Sequence, residues 1–246
     1  VSVANLTTVS RSALELKSGG TMDTAQLVSF GGGFFGDFTI LDQPADFTNL
    51  ESLSSAEVRI TGLTQPFPKL SNIDDSSWYL DGGATVTLDA VQQYAYTSID
   101  NSDRYFRADG VGSVLSLPNL STISIINDFS NELFVQALNG GLVSIGDSSS
   151  AATSTSGAIR FIADGGGSNL SSRVEVPKLE SYEGYQNGTA PGFYAQRGGH
   201  VSVANLTTVS RSALELKSGG TMDTAQLVSF GGGFFGDFTI LDQPAD

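Results

Sequence analysis

The chain lacks cysteine, has a single histidine (His200), and only 15% of its 246 residues are charged. Without cysteine it has no disulfides and no thiolate metal sites. A Ser-His-Asp triad would have to use His200 together with an Asp such as Asp164 or Asp23. The sequence holds no Gly-x-Ser-x-Gly motif that would support such a triad. No apolar run approaches the length of about 18 residues that a transmembrane helix needs, so we expect no membrane span in this segment.

Basic residues are also scarce, with 12 Lys and Arg against 26 Asp and Glu, and the formal net charge is −14. Nucleic acid binding needs clusters of Lys and Arg to neutralise phosphates, so we expect no nucleic acid partner. We also expect no cofactor. The turns at Asp109 and Asp164 lack the downstream Asp of calcium-binding β-rolls, which leaves nonspecific or bridging Ca²⁺ between acidic filaments as the open alternative.

The dominant feature present is a repeat. Residues 201–246 repeat residues 1–46 without a substitution, so the period is 200 residues. The second copy holds two basic and five acidic residues, so one period carries 10 basic and 21 acidic residues, a net charge of −11. Because a fixed period signals a repeat architecture, we interpret 1–200 as one full repeat of a continuous structure and 201–246 as the start of the next. We expect the chain to be a window of a longer array.

A shorter frame recurs inside this period, and it is clearest as Leu115-Ser-Leu117-Pro-Asn-Leu120-Ser-Thr-Ile123. Eight frames start at positions 1, 22, 45, 65, 86, 115, 143 and 174, and a ninth starts at 201. The sixth frame position predicts a core ladder of Leu6, Leu27, Leu50, Leu70, Val91, Leu120, Leu179 and Leu206. Glycine pairs mark the turns at Gly19, Gly20, Gly82, Gly83, Gly140, Gly141, Gly198 and Gly199, where positive φ or close stacking would exclude a Cβ.

Each frame also holds a second short apolar stretch, such as Val58-Arg-Ile60 or Ile159-Arg-Phe161. Short runs rich in β-branched and aromatic residues between turn residues predict strands, and no apolar stripe of helical period is present. Such a small unit buries its sheet edges only by stacking. We therefore predict an all-β parallel β-helix (β-solenoid) with about eight rungs per repeat, almost no helix, and an advance of about 38 Å per period. A leucine-rich repeat is the alternative fold.

The frames divide into four short rungs in 1–85 and four long rungs in 86–200. The extra residues are polar and predict either an additional side or projecting loops. These segments are Ala95–Asp103, Ser124–Asn131, Ser148–Ser156 and Glu183–Pro191.

Few residues suggest a site. Tyr96 and Tyr185 are candidates for exposed rings that stack on sugars, although tyrosines can equally fill the wider core of the long rungs. Asp74 and Asp75 form the only adjacent acidic pair and would be the candidate for polysaccharide cleavage. The asparagines of the sequons Asn5, Asn119, Asn169, Asn187 and Asn205 are either glycosylation sites or corner residues.

The frame Gly-Gly-x-Val-x-Leu-Pro-x-Leu-x-x-Ile resembles the giant repetitive β-solenoid proteins of prokaryotic cell surfaces, which include filamentous adhesins. The resemblance covers all eight frames and implies an extracellular or cell-surface location. It implies no functional residues.

Three functions follow as hypotheses. The first is a structural segment of a β-solenoid filament (stalk, cable or adhesive fibre), without enzymatic activity. Its partners would be identical repeats in the same chain or head-to-tail copies. The second is a carbohydrate-binding adhesin module on the long rungs, with surface glycans as partners. The third is a polysaccharide-degrading β-helix enzyme.

Overall fold

Every strand pair in the described part of the chain is parallel, and each strand pairs with the equivalent strand about one frame away. The computed structural model describes residues 5–33, 36–41, 43–98, 100, 102–126, 131–147, 153–184, 190–231 and 238–241. Helical structure in these ranges is limited to short 3-10 turns such as Gly166–Ser168. The predicted parallel β-helix is confirmed.

One sheet, which we call the third face, runs through all ten rungs and numbers them. Its strands close each frame before the glycine turn. In order, they are Leu14–Leu16, Asp37–Leu41, Glu57–Thr61, Ser77–Asp81, Arg104–Asp109, Leu133–Leu138, Ile159–Asp164, Gly192–Gln196, Ala213–Lys217 and Phe238–Leu241.

The first part of each frame supplies two further faces. The first face exists from rung five onward, with strands Thr85–Thr87, Val114–Leu117, Leu142–Ile145, Arg173–Glu175, His200–Ser202 and Thr221–Met222. The second face is divided into two sheets. One holds Thr8–Ser10, Ser29–Gly31 and Ser52–Ser54, and the other holds Gln93–Tyr96, Thr122–Ile125, Thr153–Gly157, Leu179–Gly184, Thr208–Ser210 and Ser229–Gly231.

The third face fixes the relation between the long repeat and the rungs. Its central inward column runs from Leu14 through Phe38, Val58, Trp78, Phe106, Val135, Phe161 and Phe193 to Leu214. Leu14 and its copy Leu214 therefore occupy the same column, eight rungs apart. The 200-residue period is a whole number of rungs, so the second copy continues the stack without a change of register.

The sixth-position ladder lies at the corner between the first and second faces. Leu27, Leu50, Leu70, Val91, Leu120, Leu179 and Leu206 are all buried, whereas Leu6 is 37% exposed. The burial expected of Leu6 is thus wrong for this residue. Leu6 has a neighbouring rung on one side only, whereas its copy Leu206 lies between two rungs and is 1% exposed.

In two of the predicted glycine pairs the two residues have different roles at the corner between the third and first faces, whereas Gly82 and Gly83 both have positive φ, +61° and +84°. Gly140 has φ +92°, in the left-handed region that favours glycine. Gly141 has no such φ, but a Cβ there would lie 2.2 Å from the carbonyl oxygen of Ala108 in the preceding rung. Gly198 and Gly199 repeat this division, with φ +80° at the first and a 2.1 Å approach to the Ala163 oxygen at the second.

The rod widens between rung four and rung five, and we call this transition the step. Rungs two to four have no first-face strand, and only an isolated bridge joins Thr64 to Thr85. From rung five the first face is present. The connection from the second to the third face also becomes longer. In rung three it joins Ser52–Ser54 to Glu57–Thr61, and in rung five it joins Gln93–Tyr96 to Arg104–Asp109. The long rungs therefore carry longer connections, whereas the first face is not confined to them, since it continues into rungs nine and ten, the copies of short rungs one and two.

Rung seven departs from the expected placement of its extra residues. A second-face strand, Thr153–Gly157, pairs with Leu179–Gly184. All of it but its last residue lies within the predicted polar segment Ser148–Ser156. The long connection of this rung therefore precedes the second face, whereas in rungs five, six and eight it follows that face. A low-complexity Ser/Thr run has a pattern that fits either a loop or a strand, and here pairing with both neighbouring rungs decides it.

Candidate functional site

The step is the candidate site, because it holds a break in the second face and recesses on two sides. One recess of about 210 Å³ lies at the corner between the second and third faces, with Asp37, Glu57, Asp75, Asp103 and Arg104 in its lining. The other, of about 600 Å³, lies on the outer surface of the second face. We call them the corner recess and the second-face recess.

Asp74 and Asp75 bridge the break between rungs four and five. Rung four has no second-face strand, and the Asp74 carboxylate accepts the Ala95 N–H at 2.7 Å. The Asp75 carboxylate accepts the N–H groups of Thr97 and Ser98 at 2.7 and 2.9 Å. Side-chain oxygens thus replace the carbonyl acceptors that a regular parallel ladder would provide. This arrangement does not favour the sequence-based interpretation of the pair as a catalytic acid and base.

Tyr96 is the second finding at the step, and its expected exposure is wrong. Its side chain is 0% exposed. The Arg104 guanidinium covers the ring at 4.6 Å from its centroid, and the hydroxyl donates to Asp100 at 3.2 Å and also to the Ser102 carbonyl. Burial raises the pKa of Tyr96 above its usual range. A sugar cannot stack on this ring unless Arg104 moves. The other candidate, Tyr185, lies outside the described residues.

Arg104 organises this cluster from the first position of its third-face strand. It donates to Asp100 at 2.5 Å and through Nε to the Asp75 carbonyl at 2.7 Å. Burial opposes the ionisation of Asp100, but the hydrogen bond and charge of Arg104 outweigh it and hold the pKa of Asp100 below its usual value. Asp103 is different, because its burial raises its pKa. The ion pair closes the long connection of rung five over the core.

The acidic corner recess does not assemble a recognisable metal site. Within the ranges that the structure describes, no three His, Cys, Asp or Glu side chains come together in a way that could hold a metal ion. Bridging of neighbouring filaments by Ca²⁺ stays a prediction.

His200 lies on the outer surface of the first face, where it contacts the next rung. Its Nδ1 is 2.8 Å from the Thr221 hydroxyl, and its Nε2 is 3.5 Å from Asp223, the copy of the Asp23 named above. The Ser202 hydroxyl donates to the same carboxylate at 2.7 Å, so its proton points to the acid and away from the imidazole. Activation of a serine would need the opposite arrangement.

The contacts of three asparagines explain why Asn recurs before Leu at the corner between the first and second faces. Asn49 donates through Nδ2 to the Ala25 carbonyl at 2.9 Å, Asn119 to that of Asp89 at 2.9 Å, and Asn205 to that of Pro177 at 2.7 Å. Each asparagine occupies the fifth frame position, and each acceptor is the fourth position of the preceding rung. The repeated Asn is therefore a corner clamp between rungs, and glycosylation of the sequons stays a prediction.

A ladder of aromatic rings on the outer surface of the third face was missed by sequence reasoning. Tyr79, Tyr105 and Phe134 follow one another at centroid distances of 5.5 and 5.1 Å. Arg59 covers the Tyr79 end at 4.4 Å and Arg160 the Phe134 end at 5.3 Å. The rings and guanidinium groups pack on one another, and the stack joins rungs three to seven. The register alone would not have revealed it, because Tyr79 pairs with Arg107 and not with Tyr105.

Comparisons with protein-family models, with curated proteins and with solved structures give no match to this chain. In the described ranges no helix has the length and apolar character to cross a membrane.

Proposed function

We propose that the chain is a repeat segment of an extracellular or cell-surface β-solenoid filament that acts mechanically, as a stalk, cable or adhesive fibre. The single observation that carries this proposal is the alignment of Leu14 with Leu214 after eight rungs. A repeat that equals a whole number of rungs adds length to a rod without disturbing the interfaces between its rungs.

The packing supports a stiff rod. Ten rungs share one uninterrupted sheet on the third face, and one buried cluster fills the interior from Leu14 to Leu214. In such a stack each rung contacts its neighbours alone, so stability adds up from one interface to the next. Successive repeats, either in one polypeptide or as head-to-tail copies, are the partners that this arrangement needs.

The chemistry at the step also supports a mechanical role. The conspicuous polar groups, Asp74, Asp75, Asp100 and Arg104, are engaged in holding rung five on rung four. The asparagine clamps and the outer aromatic stack do the same elsewhere. We infer that these groups serve adhesion between rungs rather than catalysis.

Electron microscopy of a polypeptide with several repeats tests this function. We expect filaments with an axial repeat of about 38 Å. A matched chain in which every repeat lacks residues 45–64, one whole frame, should still form filaments, with the axial repeat shortened to about 34 Å. Isolated globules, or an axial repeat that does not respond to the removal of a rung, would contradict the proposal.

A further inference from the structure

The second-face recess at the step is a feature that the filament function does not use. Its lining comes from three successive rungs and includes Ser71, Asn72, Asp74, Gln92, Gln93 and Thr122. Most of these side chains are exposed, and none of the lining residues is aromatic or basic. The recess thus presents amides, hydroxyls and one carboxylate, which together can donate hydrogen bonds to the hydroxyl groups of a polyol and accept hydrogen bonds from them.

The recess exists because, at this point, the backbone of rung four pairs with rung three and not with rung five. Asn72 donates its N–H to the Glu51 carbonyl at 3.1 Å and accepts the Leu53 N–H at 2.9 Å, so it continues the sheet of rungs one to three. Toward rung five the contact is made by the Asp74 carboxylate and by the Asp75 N–H, which donates to the Ala95 carbonyl at 2.9 Å. Because the Asp74 side chain spans the gap, the outer surfaces of rungs four and five are held apart beside it.

Two of the lining groups are fixed in orientation. Asn72 Oδ1 accepts the Asp74 N–H at 2.9 Å, which leaves its Nδ2 as the outward donor. Asp74 Oδ1 is taken by Ala95, which leaves Oδ2 as an outward acceptor. In the described part of the chain the side-chain amides of Gln92 and Gln93 have no hydrogen-bond partner. The fixed Asn72 and Asp74 side chains are ordered before a ligand binds, so their contribution costs little conformational entropy, whereas Gln92 and Gln93 must be ordered on binding.

We propose that the second-face recess binds a neutral glycan. Sugar hydroxyls donate to the Asp74 carboxylate and accept from the side-chain amides, so one ligand class satisfies both kinds of group. Sulfated or uronic glycans are repelled by Asp74 and by the net charge of −14. Gln93 and Thr122 are paired in register at the strand spacing of about 4.8 Å, and Asn72 lies across the gap from them, so a glycan lying along the axis could meet all three.

Where the filament of the proposed function forms, the site recurs once in each repeat. Sites about 38 Å apart on one rod give avidity to a long or surface-bound glycan even when each binds weakly. This consequence depends on the filament, whereas binding at one recess does not.

The test uses the 246-residue chain on a printed array of neutral, sulfated and uronic oligosaccharides, followed by titration with the neutral oligosaccharide that is retained best. We expect neutral glycans to be retained and acidic ones not. The double variant Gln92→Ala/Gln93→Ala should lose about tenfold or more in affinity, because two amide partners are removed. Gln136→Ala, an outward glutamine on the third face, is the matched control and should bind as the parent does.

Absence of retained neutral glycans, preference for acidic glycans, or equal affinity of the double variant and the parent would each overturn the site. The thermal unfolding of both variants should match the parent, which excludes loss of fold as the cause. Filaments seen by microscopy together with failed glycan binding would reject this site alone, whereas binding without filaments would reject the filament alone.

Discussion

Replacing Asp75 by alanine tests whether side-chain acceptors hold the two halves of the rod together at the step. Its carboxylate accepts the Thr97 N–H at 2.7 Å, the Ser98 N–H at 2.9 Å and the Thr97 hydroxyl at 3.0 Å. Its backbone has φ +57°, a conformation that aspartate tolerates better than alanine.

The expected loss follows from these contacts. Each bond from a backbone N–H to this partly exposed carboxylate contributes about 1 kcal/mol, and the left-handed backbone adds about 1 kcal/mol in alanine. We therefore expect Asp75→Ala to lower the free energy of unfolding by about 3 kcal/mol. Asp75→Asn keeps the backbone preference and an amide oxygen as acceptor, so its loss should be about 1 kcal/mol.

The single tryptophan makes the measurement local. Trp78 is 0% exposed, belongs to rung four and donates through Nε1 to the Ser76 hydroxyl at 2.9 Å. Its fluorescence during denaturant unfolding reports the step, and hydrogen exchange of the Thr97 and Ser98 amides reports the lost bonds directly. Asp89→Ala is the matched control, since no side-chain bond of Asp89 is found in the described part of the chain. Equal effects of Asp75→Ala and Asp89→Ala, within about 0.5 kcal/mol, would refute the reasoning.

Two further predictions concern the glycine turns and pH. Gly141→Ala should lower the unfolding midpoint strongly, because the new Cβ would lie 2.2 Å from a carbonyl of the preceding rung, whereas Gly31→Ala, with nothing within 4 Å, should change it little; equal midpoints would contradict the close approach. Burial opposes the ionisation of Asp164, but Arg197 and neighbouring donors outweigh it and lower the pKa of that carboxyl. A lowered folded pKa gives stability that is present above the unfolded value of 3.8 and is lost as pH falls through the folded value. Arg197→Gln should therefore destabilise the chain at pH 7 and lose that effect in strong acid, and a difference that persists unchanged at low pH would argue against the pair.

The frame and its ladder could be predicted because they repeat. A sixth-position Leu such as Leu50 or Leu120 recurs in the same context, and each copy supports the interpretation of the others. The glycine pairs could be predicted for the same reason. Gly140 and Gly141 then proved to meet the two requirements separately, one through φ and one through close approach.

The step could not be predicted, because it depends on contacts between unlike rungs. Whether Tyr96 is exposed is decided by Arg104, eight positions further along a connection that has no counterpart in the short rungs. Asp74 and Asp75 look like a surface acidic pair until rung four is seen without a second-face strand. Periodicity describes what rungs share, and the candidate site lies where they differ.

The alignment of Leu14 with Leu214 has a consequence for insertions and deletions in this sequence. The two 46-residue copies are identical in amino-acid sequence, so an exchange between equivalent positions in them would add or remove 200 residues, which is eight whole rungs. The product keeps every neighbour that a rung had before, and no new interface has to be selected. Insertion or removal of one such unit would therefore change the number of rungs without changing the sequence of any interface between rungs.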